Sequence, residues 1–333
     1  MLSYIVGRLL RMIPQVFLIS ILAFIIIQLP PGDFLTEQIN RLRATGATVD
    51  QAQVQMLTNL YGLDQPMYIQ YFRWIGRIVT QFDFGYSFVR QQSVNDILLG
   101  RMGMTFFIAV LAFIVSWGLA IPAGIYVAVK QYSLADYFFT LIGFIGLATP
   151  GFLLALVLMY ISYAKLGIQV GGLYSPEFEV LPMSWAKFID LLKHLWLPVI
   201  ILAIAGQADI IRTLRATMLD ELRKQYVTVA RSKGLSEFNV IMQYPVRIAI
   251  NPILSRTSYL LVWFFSGGMV VEIVLNLNTA GPVLYRALLQ QDMYTAGAYV
   301  LIIGVLYSLG ALLSDLLLAA VDPRIRFGSM EAA

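Results

Sequence analysis

An all-α, polytopic membrane protein is what this sequence predicts, and three observations carry the prediction. Hydrophobic residues make up 59% of the 333 and charged residues only 13%, a balance outside the range of soluble domains. Six apolar runs are each long enough to cross the hydrocarbon core, which is roughly 30 Å thick and takes about 20 helical residues. Lys and Arg gather on alternate connections between those runs, the bias that orients membrane helices. The expected architecture is six transmembrane helices, with a small external helical domain between the first and second. A cytoplasmic helix-turn-helix is expected between the fourth and fifth.

The first run, near 9–29, follows Arg8 and Arg11. No small-residue cleavage site comes after it, so residues 1–29 are expected to stay as the first span. Residues 30–101 form the external domain, where Asp33, Glu37, Asp50, Asp64, Asp83 and Asp96 balance six arginines. One helix is expected there over 48–60, with Val49, Ala52, Met56 and Leu60 apolar, ending at Gly62. A second opens at Asp64-Gln-Pro66 and runs through Trp74 to Val79. Its Tyr68, Tyr71, Phe72 and Trp74 suit a membrane-interface belt.

Residues 102–333 are the main transmembrane domain, with spans near 104–129, 137–163, 195–213, 253–275 and 295–320. Pro122, Pro150-Gly151, Pro198, Pro252 and Gly267-Gly268 interrupt or edge these runs. A proline in lipid frees a backbone carbonyl that needs another partner, so such positions suit close helix packing, a polar cavity or bending. With the amino terminus inside, Arg8, Arg11, Lys130, Arg212, Arg215, Arg223, Lys224, Arg231, Lys233, Arg247, Arg324 and Arg326 are cytoplasmic. The short external loops then hold Lys165, Lys187, Lys193 and Arg286, and both termini face the cytoplasm.

The cytoplasmic knob spans 219–251. Leu219, Leu222, Tyr226, Val229 and Ala230 fall at helical spacing, with Arg223, Lys224 and Arg231 on the other side. Gly234 follows the last periodic turn and suits a left-handed bend, and Ser236 is placed to cap a new helix. Phe238, Ile241, Met242 and Pro245 form the next apolar face, which Pro245 ends or kinks. Such a knob is too polar for lipid and too apolar to stay without a partner; the same pattern also fits a basic loop resting on lipid headgroups.

Much chemistry is excluded. With no cysteine there is no disulfide, thiolate metal site or thiol nucleophile. His194 is the sole histidine, so no zinc site or His-Glu-x-x-His helix can form, and beside Trp196 it reads as a structural interface residue. No Gly-x-x-x-x-Gly-Lys-Ser/Thr loop is present, so nucleotide hydrolysis is not expected in this chain. The basic residues sit beside membrane spans, which is no nucleic-acid surface. Asp209, Arg256, Glu272 and Asp315 lie at membrane depth, each costing roughly 2.5–3.5 kcal/mol at a bilayer centre, so each must face protein or water. Paired structural roles are expected, and the alternative is an ion-gradient relay through Asp315 or Glu272.

The segment Tyr226-Val-Thr-Val-Ala-Arg-Ser-Lys-Gly-Leu-Ser-Glu237 resembles the cytoplasmic EAA loop of ATP-binding-cassette importer permeases, in the form found in the dipeptide, oligopeptide and nickel permease family. Arg212-Thr-Leu-Arg-Ala-Thr-Met218, His194-Leu-Trp-Leu-Pro198, Gly268-Met-Val-Val-Glu272 and Asp322-Pro-Arg-Ile-Arg326 are similar to signatures of that family. So are Pro31-Gly-Asp33, Tyr61-Gly-Leu-Asp-Gln-Pro66, Gln70-Tyr71, Trp74 and Phe84-Gly-Tyr-Ser87, so the resemblance runs nearly the whole chain in order. Thr228 and Val229 depart from the generic loop. Asn278-Thr279 replaces the Pro-Gly pair usual after Glu272. The stretch Gly46 to Gln55 resembles members tied to oligosaccharide uptake as much as to peptide uptake.

The resemblance implies a permease subunit, not an enzyme, in a bacterial or archaeal inner membrane. It implies an importer of oligopeptides or oligosaccharides built from this chain, a second and different permease, two ATPases and an external solute-binding protein. ATP and Mg would sit on the ATPases, with no cofactor on this chain. Ala230, Arg231, Lys233, Gly234, Leu235, Ser236, Glu237 and Phe238 would couple to an ATPase. Leu235 and Phe238 would be the anchors, and Arg231, Lys233 and Glu237 would set orientation. Bending is expected near Pro198, Pro252, Gly267 and Gly268.

Overall fold

The computed structural model describes residues 2–28, 55, 65–87, 89–168, 170–257, 259, 262–263 and 268–321. The expected helix over 48–60, Gly267 and the Asp322 to Arg326 motif lie outside these residues, Gln55 excepted. The described elements are α1 Leu2–Gln28, α2 Met67–Gln81, β1 Tyr86–Ser87, β2 Gln92–Ser93, α3 Val94–Val129, α4 Leu134–Ala148, α5 Gly151–Leu166 and α6 Trp185–Leu222. They continue with α7 Gln225–Ser232, α8 Glu237–Gln243, α9 Pro245–Ala249, α10 Asn251–Ser255, α11 Met269–Val274, α12 Ala280–Leu289 and α13 Met293–Val321.

The long helices follow the hydropathy. Three described helices, α1, α3 and α13, are long and apolar enough to cross a membrane, and counting two bent pairs as one span each raises the number to five. Over the fifth expected span, 253–275, the described residues include α10 and α11, and Thr257, Tyr259, Val262 and Trp263 are helical between them. Near 137–163 the single expected helix is corrected to two: α4 and α5 meet at 109°. Pro150 is the cause. It disfavours the helical conformation in the residue before it, and Thr149 is extended at φ −95°, ψ 122°. By contrast α6 runs through Pro198 and bends by 43° between Ile204 and Gly206, beyond the proline expected to hinge it.

The chain divides into two compact units, one of residues 1–9, 105–278 and 306–333 and the other of 10–104 and 279–305. In the first, α4 lies close against α6. A Cβ at Gly146 would stand 2.7 Å from Ile204 Cγ2 and 3.1 Å from the Ile204 carbonyl, so only glycine allows this approach. Below it, Val127 of α3 packs with Leu214 and Met218 of α6, Val246 and Ala249 of α9 and Ile253 of α10.

In the second unit α2 packs on α1. The Tyr71 hydroxyl is 2.7 Å from Ser20 Oγ, Phe24 meets Trp74 at 5.7 Å, and Trp74 Nε1 donates to the Phe84 carbonyl at 3.3 Å. The aromatic belt expected on α2 is therefore split. Tyr71 and Trp74 are core, while Tyr68 and Phe72 remain exposed, because a helical period places 71 and 74 on one face. The β1–β2 hairpin pairs Tyr86 with Ser93 and Ser87 with Gln92. Ser87 donates to the buried carboxylate of Asp292, which also accepts from Thr295 Oγ1 at 2.8 Å.

Candidate functional site

The knob expected as two short helices over 219–251 holds the end of α6, the three short helices α7, α8 and α9 and the first residue of α10, with a glycine turn between α7 and α8. Gly234 has φ +78°, a left-handed conformation that costs glycine nothing. Nothing lies within 4 Å of the Cβ position there, so the constraint is backbone alone. Pro245 stands at the start of α9 and ends α8 at Gln243. Ser236 occupies the N-cap of α8 with extended backbone, but its side chain makes no capping bond. That role falls short of the expectation, and Glu237 in the first turn supplies the favourable charge instead.

The expected apolar stripe from Leu219 to Ala230 is corrected. At Arg223 and Lys224 the helix stops, Lys224 being extended at φ −73°, ψ 148°, and the phase of the stripe resets. Val227, fully buried, points inward with Ala230 and Val240 under the rings of Tyr226 and Tyr244, whereas Val229 is 53% exposed. The signal was present as the Val227 to Ala230 spacing of three. Tyr226 donates to Glu221 across the break; burial first, and then that carboxylate, pushes its phenol well above the usual range.

A second apolar face points outward. Phe238 is 72% exposed, Met242 41% and Leu235 37%, and Arg231, Lys233, Gly234, Ser236 and Glu237 are exposed around them. Arg231 and Glu237 pair with each other across the turn. The knob is fixed to its span: Ile241, Val246 and Ala249 pack on Leu214 and Met218, and Thr217 Oγ1 donates to the Ala249 carbonyl at 3.1 Å.

The charges at membrane depth are paired where the structure describes their partners. Asp209 accepts from Arg256 and lies 3.3 Å from Arg212. Asp315 meets Arg8 at 2.8 Å, a residue the sequence places merely as a flanking charge. Glu272 is buried in α11. Pro252 sits in the first turn of α10, and Gly268 precedes α11 with an ordinary right-handed φ of −77°.

Sequence reasoning missed two further polar groups. Asp136 is buried, takes the Arg215 guanidinium at 2.9 Å and the Tyr132 amide at 3.0 Å, and so ties α4 to α6. Its local signal is Ser133-Leu-Ala-Asp136 ahead of an apolar run, with Ser133 capping the Asp136 amide at 3.2 Å. At the start of α6, Lys187, Asp190 and His194 are all buried. Lys187 and Asp190 hold the preceding loop, and His194 Nδ1 bonds to the Asp190 carbonyl within α6.

Residues 120–327 match the family model described as "binding-protein-dependent transport system inner membrane component", and residues 1–109 match the model of the N-terminal part of such components. The chain is 33% identical over 329 residues to the oligopeptide transport system permease protein AppB of Bacillus subtilis, covering 98% of this chain and 100% of that protein. A putative peptide permease of Brucella ovis is 31% identical over 328 residues, at 98% and 99% coverage. The inner membrane ABC transporter permease protein YejB of Escherichia coli O157:H7 is 30% identical over 368 residues, also at 98% and 99%.

Proposed function

The chain belongs to the family of inner membrane components of binding-protein-dependent transport systems, and from that membership we propose that it is the solute-conducting subunit of an ATP-driven peptide importer, coupled through the knob at 219–251 to a cytoplasmic ATPase. Peptide is preferred over oligosaccharide because curated relatives along the full chain carry peptide names. A second permease completes the path, an external binding protein delivers solute, and ATP and Mg sit on two ATPase subunits. Both termini and the knob face the cytoplasm, following the Lys and Arg bias.

The observation that carries the coupling reading is the outward apolar face of Leu235, Phe238 and Met242 on a knob that already has its own core. Fully burying a Phe contributes about 1.5–3 kcal/mol, and aromatic anchors in a partner's pocket dominate interface energy. Closure of the ATPase pair would push the knob. Because Ile241, Val246 and Ala249 are seated on Leu214 and Met218, that push passes to α6. The bend at 204–206 and the α4–α5 break provide places where a two-state element can flex.

Phe238→Asp tests the coupling. It should release the ATPase from the detergent-purified complex while this chain still inserts and folds. Unchanged co-purification would contradict it. The ion-gradient reading through Asp315 or Glu272 predicts the opposite behaviour, uptake by vesicles that hold this chain alone.

A further inference from the structure

A polar recess of about 730 Å³ opens beside the first turns of α6, lined by the loop after α5, by Asp190, Lys193 and His194, and by Asn276 and Asn278 after α11. Its volume lies within the range of small-molecule sites, about 300–1,000 Å³. The 38-residue α6 rises about 1.5 Å per residue, so its ends are much further apart than the roughly 30 Å hydrocarbon core. In the orientation proposed above, with the knob cytoplasmic, the recess at the start of α6 lies on the external side.

Two buried polar side chains of α6, Asp190 and His194, line the recess, and a third, Lys187, holds the loop that completes the lining. Lys187 Nζ donates to the Leu181 and Glu179 carbonyls and stands 4.5 Å from the Tyr174 ring centre. Asp190 accepts from the Ser175 amide and hydroxyl, both at 2.7 Å. His194 Nδ1 donates to the Asp190 carbonyl at 2.8 Å, which fixes the tautomer and leaves Nε2 as the ring's acceptor. The Gly172 amide donates to the Leu275 carbonyl at 2.8 Å, tying the loop to the turn at 276–278. Burial first, and then Asp190, holds the Tyr174 hydroxyl above its usual range, so it stays a donor.

We propose that this recess is a receiving site for a short peptide with free termini, on the external face of the transport path. This rests on the peptide reading above. Glu179 and Lys193, both exposed on the lining, present opposite charges to an α-ammonium and an α-carboxylate. The Tyr174 hydroxyl, the Asn276 amide and His194 Nε2 supply donors and acceptors for main-chain groups. Mixed donors, acceptors and both signs of charge suit a zwitterionic chain, and a neutral sugar offers no charge to either Glu179 or Lys193.

The chain has no cysteine, so a benzophenone-maleimide on Tyr163→Cys or Ile168→Cys, exposed lining residues outside the proposed contacts, places one reporter in the recess. Trp185→Cys, exposed on α6 and outside the lining, is the control. Membrane vesicles carrying the whole transport system are given radiolabelled trialanine and illuminated, and adducts on this chain are counted. About tenfold more adduct is expected at 163 and 168 than at 185, as for a site favoured by one decade in affinity. Excess trialanine should suppress it; N-acetyl-trialanine amide and maltotriose should not. Equal adduct at all three positions, or suppression by the capped peptide or the sugar, overturns the proposal. Failure of ATP-driven peptide uptake by the unlabelled vesicles would overturn the importer reading instead, and the adduct pattern still decides the site.

Discussion

Arg231 and Glu237 face each other across the Gly234 turn through two bonds, Nε to Oε2 at 3.0 Å and Nη2 to Oε1 at 2.7 Å. The pair ties the end of α7 to the start of α8 and leaves Leu235, between them, turned outward. It is a clamp on the shape of the knob, and both partners are largely exposed.

An exposed pair of this kind contributes about 0–1 kcal/mol, so Arg231→Ala should barely move the melting temperature of the purified complex. The hydrogen bond from Arg231 first, and its charge next, hold the Glu237 carboxyl below the usual range. A depressed folded value means that the pair stabilises above the ordinary glutamate value and is lost as pH falls through the lowered one. ATP-driven uptake should therefore not respond to this pair near neutral pH. The reversed pair Arg231→Glu with Glu237→Arg should restore whatever uptake either single reversal loses.

Gly234→Val should uncouple ATP hydrolysis from uptake without removing the chain from the membrane. At φ +78° a β-branched residue costs of order 1–3 kcal/mol in backbone strain. Since open space surrounds the Cβ position, Gly234→Asn should be milder, asparagine tolerating the left-handed region. Equal uptake per ATP hydrolysed in wild type and Gly234→Val would show that the bend is dispensable.

The two faces of the knob should separate in one pair of variants. Val240→Ala removes buried methyl groups and should cost about 2 kcal/mol, read as a lower melting temperature. Phe238→Asp, on an exposed side chain, should change stability by within about 0.5 kcal/mol yet lose the ATPase. The reverse pattern would place the docking face on the wrong side of α8.

What the sequence made legible was what local pattern encodes. Hydropathy located the long helices, and Gly234 and Pro245 marked the knob because each restricts or frees the backbone where it stands. The reading failed where a distant partner decides. Val229 and Val227 differ only in helical phase, and the break at Lys224 reset that phase. Asp136 and Arg215 stand 79 positions apart in sequence, and Arg8 and Asp315 stand 307 apart, so no window around either partner reveals the pair. The 109° turn at Pro150 was visible as a breaker but not as an angle. Tyr71 and Trp74 looked like interface aromatics until α1 covered them.

Asp292 offers a pH test of the second unit. Burial pushes its carboxyl above the ordinary range, while bonds from Ser87 and Thr295 and the charge of Arg90 only partly offset this. A raised folded value means stability that is complete below the ordinary aspartate value and is lost as pH rises through the raised one. Amide exchange of residues 86–93 should therefore show protection that weakens with rising pH beyond the intrinsic rate change, and Asp292→Asn should remove that slope. An identical slope in the variant would assign it to another group.

The most direct test of the account is a cross-link from the outward face of the knob. With no native cysteine, Phe238→Cys and Val227→Cys each carry one thiol in this chain, labelled with a short photoreactive group in the assembled complex. An adduct with the ATPase subunit at 238, changing with nucleotide and missing at the buried 227, is the predicted result. A complex that hydrolyses ATP and takes up peptide while position 238 reaches only lipid or solvent would contradict it.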